Sequence, residues 1–293
     1  MAEAVTGTII GGLFTEAVYS QLMRRNLDPM SVWNGLVNRK WEGEIKAKGD
    51  KVVIRQAGNV TIKNYVKGVD MEFENPEGNH LTLEIDQLKY FGFYLDDVDI
   101  KQSDIKDLGE MYVARGQQAI TEDKDLYIAT KILDGIAEKN TLDSLALTKD
   151  NAYNALTRLR AKLAWARVLK QNGTGFDGKR PWLVVDPDVM GVLSEAPQAI
   201  KATEAGDKVT REGTILRLAG FDIKESNITD PAAGTRNIIA GTTEAFTYAD
   251  QITNTKVTRA EKRFGYYHAG EYLYGGRIVE ENALALLPVT LTV

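Results

Sequence analysis

Apolar residues follow a two-residue period in the first part of the chain. Five of them stand at even positions: Val52, Ile54, Val60, Ile62 and Val66. This period is the spacing of side chains on one face of a β-strand. The segment NPEGN at 75–79 supplies turn-forming residues. The pattern predicts a long β-hairpin whose return strand covers 81–95.

The phase of the apolar residues slips twice along that return strand, first near Asp86 and Gln87. The slip predicts either a β-bulge at this point or a strand that is buried on both faces beyond it. A continuous strand over 81–95 would reach about 50 Å. Because a two-stranded ribbon is marginally stable alone in water, we expect neighbouring subunits to cover it.

Helical spacing of apolar residues replaces the strand pattern after Ser103 and Asp104 and predicts a helix over 104–139. Such a helix would be about 54 Å long. A second helix is predicted between caps at Asp150 and Gly173. A buried strand, a turn and a short helix follow over 181–197. This order of elements predicts an α+β fold rather than a doubly wound nucleotide-binding fold.

The amino-acid composition excludes several classes of function. The chain has 293 residues, 43% of them apolar, a net charge of −5 and no cysteine. It therefore has enough apolar residues for a large core, and it lacks the overall positive charge typical of proteins that recognise duplex DNA. The absence of cysteine excludes disulfides, thiolate metal sites and a cysteine nucleophile. The N-terminal segment has neither a basic n-region nor a membrane-length apolar run, so we expect a soluble protein without a membrane partner.

The segment GTGFDGKR at 173–180 matches most of two phosphate-binding motifs. Its context does not fit, because a phosphate-binding loop follows a strand and precedes a helix. Here a predicted helix precedes the segment and a predicted strand follows it. A nucleotide-binding enzyme using 173–180 is therefore an unfavoured alternative, and a helix-to-strand turn is the favoured interpretation.

A cluster of four aspartates lies just before the predicted long helix: Asp96, Asp97, Asp99 and Asp104. It does not match a calcium-binding loop, because Gln102 and Leu108 stand where glycine and glutamate are needed. Asp99, Ser103 and Asp104 instead suit the start of a helix, and we predict that they form a helix cap and hinge. His268 lies among tyrosines and is interpreted as a packed residue. We expect no catalytic residues, no metal and no cofactor.

Several segments, taken in order, resemble the major capsid proteins of tailed phages, which have the HK97-type coat fold. They are VNRKWEGEIKAKGDKVVI (37–54), LEIDQLKYFGFYLDDVDIKQSD (83–104), EDKDLYIATKIL (122–133), RPWLVVDPDVMGVL (180–193) and YHAGEYLYGGRIVEENALALLPVTL (267–291). The resemblance covers nearly the whole chain.

The resemblance implies a division of the chain into four parts. They are an N-terminal arm (1–49), an extended loop (50–88), a peripheral domain (89–181 and 251–293, with the spine helix 104–139) and an axial domain (182–250). It also implies inter-subunit contacts through the arm and the loop. The candidate contact residues are Trp33, Trp41, Ile62, Tyr65, Phe73 and Leu83.

By this resemblance the protein is expected to be a structural, non-enzymatic subunit. Copies would form pentamers and hexamers of an icosahedral shell, assembled in the host cytoplasm and present in the virion. The shell would contact packaged double-stranded DNA non-specifically, and a scaffold protein, a portal and decoration proteins are possible partners. The alternative within the same fold is an encapsulin-like nanocompartment shell.

Overall fold

The structure is a computed structural model of the chain. It describes residues 31–41, 51–56, 60–65, 67–68, 70–71, 73–74, 78–98, 108–197, 217–227 and 235–291. The predicted cap residues Asp99, Ser103 and Asp104 lie outside these ranges, as does most of the predicted arm.

Helices and strands together form a mixed α+β fold, as the sequence predicts. The helices are α1 (Leu108–Gly135), α2 (Ala152–Trp165) and α3 (Pro187–Glu195). The first strands are β1 (Lys51–Gln56), β2 (Asn79–Glu84), β3 (Gln87–Asp96), β4 (Leu145–Leu147) and β5 (Trp182–Val185). The later strands are β6 (Arg217–Leu218), β7 (Phe221–Glu225), β8 (Arg236–Gly241), β9 (Phe246–Arg259), β10 (Gly265–Ile278) and β11 (Leu284–Leu291).

A six-stranded sheet has the strand order β4-β11-β8-β5-β7-β6. Strand β5 is buried along its whole length, as its continuous apolar run predicts. Leu183 and Val185 face one core, in which α2 and α3 pack on the sheet through residues such as Leu159 and Leu193. Trp182 and Val184 face a second core, which includes residues of α1. The sheet therefore separates two layers of helices.

A three-stranded antiparallel sheet has the order β3-β10-β9, and α1 packs against one of its faces. Phe91 of β3 fills the space above two glycines, because a Cβ at Gly116 of α1 or at Gly270 of β10 would meet its ring at 2.7 or 2.5 Å. Phe93 stacks on His268 with ring centroids 5.0 Å apart. His268 was interpreted as a packed, hydrogen-bonded residue: the packing is seen, whereas its buried Nδ1 has no hydrogen-bond partner among the described residues.

The predicted strand is interrupted at Ile85 and Asp86, between β2 and β3. This is the position at which the phase of the apolar residues slips. Strand β2 pairs with β1, whereas β3 pairs with β10 in the other sheet. The prediction of one continuous strand over 81–95 is wrong in this respect. Ile85 is buried beneath the β1–β2 hairpin, and its backbone lies close to Gly275, so the turn is packed tightly on β10.

Both long helices end earlier than predicted. The spine helix ends at Gly135 instead of 139, because the missing Cβ makes room for the side chain of Ile278 and Ala137 is already extended. The second helix ends at Trp165, and Arg167 then adopts a left-handed φ of 59°. Asp150 is not its cap: Asn151 precedes the helix, and its side chain bonds to Thr148 and Ala146.

The six-stranded sheet crosses the predicted boundary at residue 182. Strands β4 and β11, expected in the peripheral domain, pair here with each other, and β11 also pairs with β8. The buried side chains of Leu287 and Val289 belong to the same core as α2 and α3. Hydrophobic burial thus joins these elements, and the domain limits remain a proposal.

Candidate assembly surface

The segment between β1 and β2 presents large apolar side chains to solvent. The exposed fractions are 95% for Ile62, 88% for Phe73 and 74% for Tyr65. The strand ladder ends at the pair Gln56 and Asn79. Beyond it, Lys63 and Glu74 form an ion pair at 3.6 Å between their charged atoms. The extended loop therefore projects from the hairpin with apolar groups that nothing in the described part of this chain covers.

Three of the predicted contact residues are accessible, and three are wholly or partly inside the subunit. Ile62, Tyr65 and Phe73 are exposed, and their contact with a neighbour remains a prediction. Trp33 and Leu83 have no exposed surface, so the prediction of an inter-subunit contact is corrected for these two. Trp33 belongs to the core against α1, and Leu83 packs between the hairpin and β10.

Trp41 is half-buried and packs against the hairpin core that contains Leu83. It also lines a cavity between the arm and the segment after α2. Trp41 therefore connects parts of the same subunit, and a contact with a neighbouring subunit stays a prediction for its exposed portion.

The carboxylate of Asp125 fixes the described part of the arm on the spine helix. One oxygen accepts hydrogen bonds from the backbone N–H of Val32 at 2.6 Å and of Trp33 at 3.3 Å. The other accepts from the Ser31 hydroxyl at 2.8 Å and from the N–H of Asn34 at 3.2 Å. The carboxylate thus satisfies the free N–H groups at the start of the 3-10 turn Trp33–Gly35.

The arm then runs beside the start of β9 and forms backbone hydrogen bonds with it. The N–H of Asn38 donates to the carbonyl of Phe246, and the N–H of Tyr248 donates to the carbonyl of Asn38, both at 2.9 Å. Trp33 meets Trp182 edge to face, with ring centroids 6.0 Å apart. Backbone pairing and aromatic packing therefore hold residues 31–41 against both sheets.

Three charged side chains meet where the arm, α1 and β9 converge. Asp250 of β9 forms ion pairs with Lys124 of α1 and with Arg39 of the arm. Lys124 is buried, and its ammonium also lies 5.2 Å from the ring centroid of Tyr272. A buried ammonium is stable only when it is paired, so Asp250 ties the arm and the helix to the same strand.

Carboxylates also attach the hairpin to the spine helix. Tyr127 of α1 donates its hydroxyl hydrogen bond to Asp86 at 2.9 Å, and Lys131 lies 3.9 Å from the same carboxylate. Tyr274 of β10 donates to Asp123 of α1. Burial, together with the hydrogen bond to a carboxylate, raises the pKa of both tyrosines above its ordinary value, so both stay neutral donors.

Sequence reasoning missed these carboxylates. Asp86, Asp123 and Asp125 stand among many acidic residues, and no spacing in the sequence distinguishes them. Of the carboxylates that precede the long helix, the structure describes Asp96 and Asp97, and Asp97 lies 4.0 Å from Arg259 of β9. Asp96 accepts from the Tyr94 hydroxyl and the N–H of Val98. Within the described part of the chain, no three carboxylate or histidine side chains are placed to hold a metal ion.

The motif at 173–180 is a turn that leads from the segment after α2 into β5. Gly173 and Gly178 have positive φ angles of 75° and 81°. The N–H of Gly175 donates to the carbonyl of Lys179 at 2.7 Å, which closes a tight hairpin. A strand and not a helix follows, so no helix N-terminus faces the glycines. The geometry is that of the favoured helix-to-strand turn.

Comparison with solved structures identifies the fold. The chain is similar to a structure titled "Mycobacterium phage Che8", with a TM-score of 0.78, 24% identity, and coverage of 95% of this chain and 98% of that chain. It is similar to the capsid of Cyanophage P-SCSP1u, with a TM-score of 0.75, 14% identity, and coverage of 98% and 95%. It is also similar to the capsid of a native GTA particle, with a TM-score of 0.65, 13% identity, and coverage of 96% and 97%.

These similarities cover nearly the full length of both chains and show that the chain has the α+β fold of phage capsid subunits. The fold expected from the sequence resemblance is thereby confirmed. No protein-family model and no curated protein matches the chain. In the described part of the chain, none of the helices is both long and apolar enough to cross a membrane.

Proposed function

We propose that this protein is a structural subunit of a closed icosahedral shell, the major capsid protein of a tailed phage. The similarity of nearly the entire chain to solved structures of phage capsids carries the proposal, because the matches cover 95% and 98% of this chain. Pentamers and hexamers of this subunit would form the shell, and the shell would enclose double-stranded DNA.

The exposed loop gives this proposal a physical reason. Ile62 and Phe73 project into water from the loop beyond the two-stranded hairpin, and nothing in the described part of the chain covers these two side chains. Burial of side chains of this size against a neighbour contributes about 1.5–3 kcal/mol each. A closed shell repeats such a contact at every subunit, so the same loop is covered throughout the assembly.

The parts of the subunit would divide the work of assembly. Residues 1–49 and 50–88 would reach neighbouring subunits, and residues 182–250 would lie around the five-fold and six-fold axes. The Asp125 contacts and the Asp250 ion pairs would hold the origin of the arm in one position on the spine helix. The subunit would act by contact alone, without catalysis.

The loop provides the test of this proposal. We expect the double variant Ile62→Asp and Phe73→Asp to give a folded subunit with normal circular dichroism that forms few or no shells in negative-stain images. The matched control is Thr61→Asp with Asn64→Asp, which places the same two charges in the same loop at exposed polar positions. Normal shells from the apolar variant, or equal loss of shells in the control, would contradict the role of the loop.

The contents of purified particles distinguish the phage shell from the nanocompartment shell of the same fold. DNA or a scaffold protein inside particles from expressing cells supports the phage assignment. A single packaged enzyme in place of DNA would contradict it and favour the nanocompartment.

A further inference from the structure

One short part of the chain carries a local excess of positive charge. Residues 158–180 contain seven arginines and lysines and one aspartate, although the net charge of the whole chain is −5. The structure describes all of this segment. Six of the cations, together with Trp165 and Phe176, make up what we call the basic surface. The six are Arg158, Lys162, Arg167, Lys170, Lys179 and Arg180.

The seventh cation, Arg160, has a structural role. Its guanidinium donates to the carbonyl of Ala219 at 3.0 Å and occupies the space beside Gly173 and Gly220. It thereby fixes the loop after α2 against the β6–β7 turn. Arg160 is not counted in the basic surface.

The six cations of the basic surface have no carboxylate partner within 4.0 Å among the described residues. Cations elsewhere do pair: Arg217 lies 3.0 Å from Asp222, and Arg236 lies 2.7 Å from Asp188. Mutual repulsion between cations that are close in the chain and have no carboxylate partner is unfavourable, and an anionic partner would reduce it.

The aromatic side chains lie between the cations. Arg158, Lys162 and Trp165 follow one another at spacings of four and three along one side of α2, where Arg158 and Trp165 are exposed and Lys162 is half-buried. The ammonium of Lys170 lies 5.8 Å from the ring centroid of Phe176. Phe176 and Arg167 line a cavity of about 400 Å³, which Glu244 and Glu280 also line. The exposed fractions are 87% for Trp165 and 59% for Phe176.

We propose that the basic surface binds nucleic acid through its phosphates, with Trp165 and Phe176 against the sugars or bases. Unpaired cations neutralise phosphates without reading sequence, and exposed aromatic rings between them provide faces on which nucleotides stack. An acidic peptide would use the cations but would leave both rings without a matching partner. The inference rests on the proposed function only in that a shell supplies enclosed DNA as the ligand.

Binding by unassembled subunits provides the test. The probes are a short fluorescein-labelled DNA duplex and a single strand of the same sequence, followed by anisotropy between about 50 and 200 mM salt. The test variant is Arg158→Gln, Lys179→Gln and Arg180→Gln. The control variant removes three exposed lysines elsewhere, namely Lys224→Gln, Lys256→Gln and Lys262→Gln.

We expect wild type and control to bind alike and the test variant to bind at least about tenfold more weakly. In a plot of the logarithm of the binding constant against the logarithm of the salt concentration, the slope of the test variant should be smaller in magnitude by as much as about 3. Binding should also quench tryptophan fluorescence, and most of the quenching should be lost in Trp165→Phe, since Trp33 and Trp182 are buried and Trp41 is half-buried. If the single strand binds more tightly, the aromatic rings stack on unpaired bases. If the duplex binds more tightly, contacts with phosphates contribute most of the affinity. Both results support the proposal.

Three results would overturn the inference: no binding by the wild type at low salt, equal loss in the control variant, or binding of poly-glutamate as tight as that of DNA. These results are separable from a failure of the proposed function. Wild type that forms shells but binds no DNA refutes this inference alone. Wild type that binds DNA through this surface but forms no shell or ring refutes the shell proposal alone.

Discussion

A single buried carboxylate determines where the arm begins its path over the subunit. Asp125 is almost completely buried, and all of its hydrogen bonds named above go to residues 31–34. The sequence indicated neither this contact nor the burial of Trp33, because a tryptophan in an irregular, turn-rich segment has no period that assigns it to a core. Such contacts depend on residues more than 90 positions apart.

Replacement of Asp125 by alanine tests this anchor. We expect Asp125→Ala to lower the free energy of unfolding in urea by about 3 kcal/mol, because buried N–H groups lose their acceptor. The variant should also become more sensitive to limited proteolysis near residues 31–41. Asp134→Ala is the control on the same helix, since Asp134 is exposed, and it should change stability by less than about 0.5 kcal/mol. Equal stability of the two variants would refute the anchor.

Asp186, at the start of α3, makes stability depend on pH. Burial raises the pKa of its carboxyl from 3.8 to about 6; Arg236 at 3.8 Å opposes the rise and Asp188 adds to it. The folded state therefore holds this proton more tightly than the unfolded state. The contribution of this group to stability is greatest below pH 4 and falls by up to about 3 kcal/mol as the pH rises to 6 and above.

The variant Asp186→Asn has no such titration. We expect its free energy of unfolding to increase relative to that of the wild type by about 1–3 kcal/mol between pH 4 and pH 7. Urea unfolding of both proteins at several pH values gives the difference directly. A difference that does not change with pH would show that Asp186 is not held in its neutral form.

At the scale of elements, two helical glycines with different surroundings test how α1 is packed. Gly116 faces the ring of Phe91, whereas Gly191 of α3 has open space around it. We expect Gly116→Ala to destabilise the protein by about 1–2 kcal/mol, because overpacking exceeds the gain in helix propensity. Gly191→Ala should stabilise it by about 0.5–1 kcal/mol. Thermal melts of both variants measure the signs, and stabilisation by both would contradict the packing of α1 on β3.

Sequence patterns predicted those secondary-structure elements whose position depends on neighbouring residues in the chain. The phase slip at Asp86 and Gln87 marked the right position, although a bulge or burial on both faces was predicted there and the structure has the end of one strand and the start of another. The apolar run at 182–185 indicated a buried strand, as the structure has it. The helix ends were predicted less well, since the end at Gly135 depends on the side chain of Ile278. The pairing of β3 with β10 joins residues more than 160 positions apart, and no local pattern encodes it.

At the scale of the whole molecule, the described part of the arm and the β1–β2 hairpin are attached to the body of the subunit, and the loop beyond the hairpin projects from it. The arm is bonded to α1 and β9, and the hairpin is attached through Asp86 to α1. The loop beyond the hairpin carries Ile62 and Phe73 into solvent. The resemblance implied a loop that reaches a neighbouring subunit, and this stays a prediction. It assigned the arm to contacts between subunits and did not predict that residues 31–41 pack on α1 and β9 of the same chain.

The central claim is that this subunit assembles with copies of itself into shells. Sedimentation velocity with negative-stain microscopy of the purified wild-type protein, with its scaffold protein where one is needed, tests this claim most directly. We expect rings of five or six subunits and closed icosahedral particles. A compact monomer that persists at every protein concentration and salt condition would contradict it.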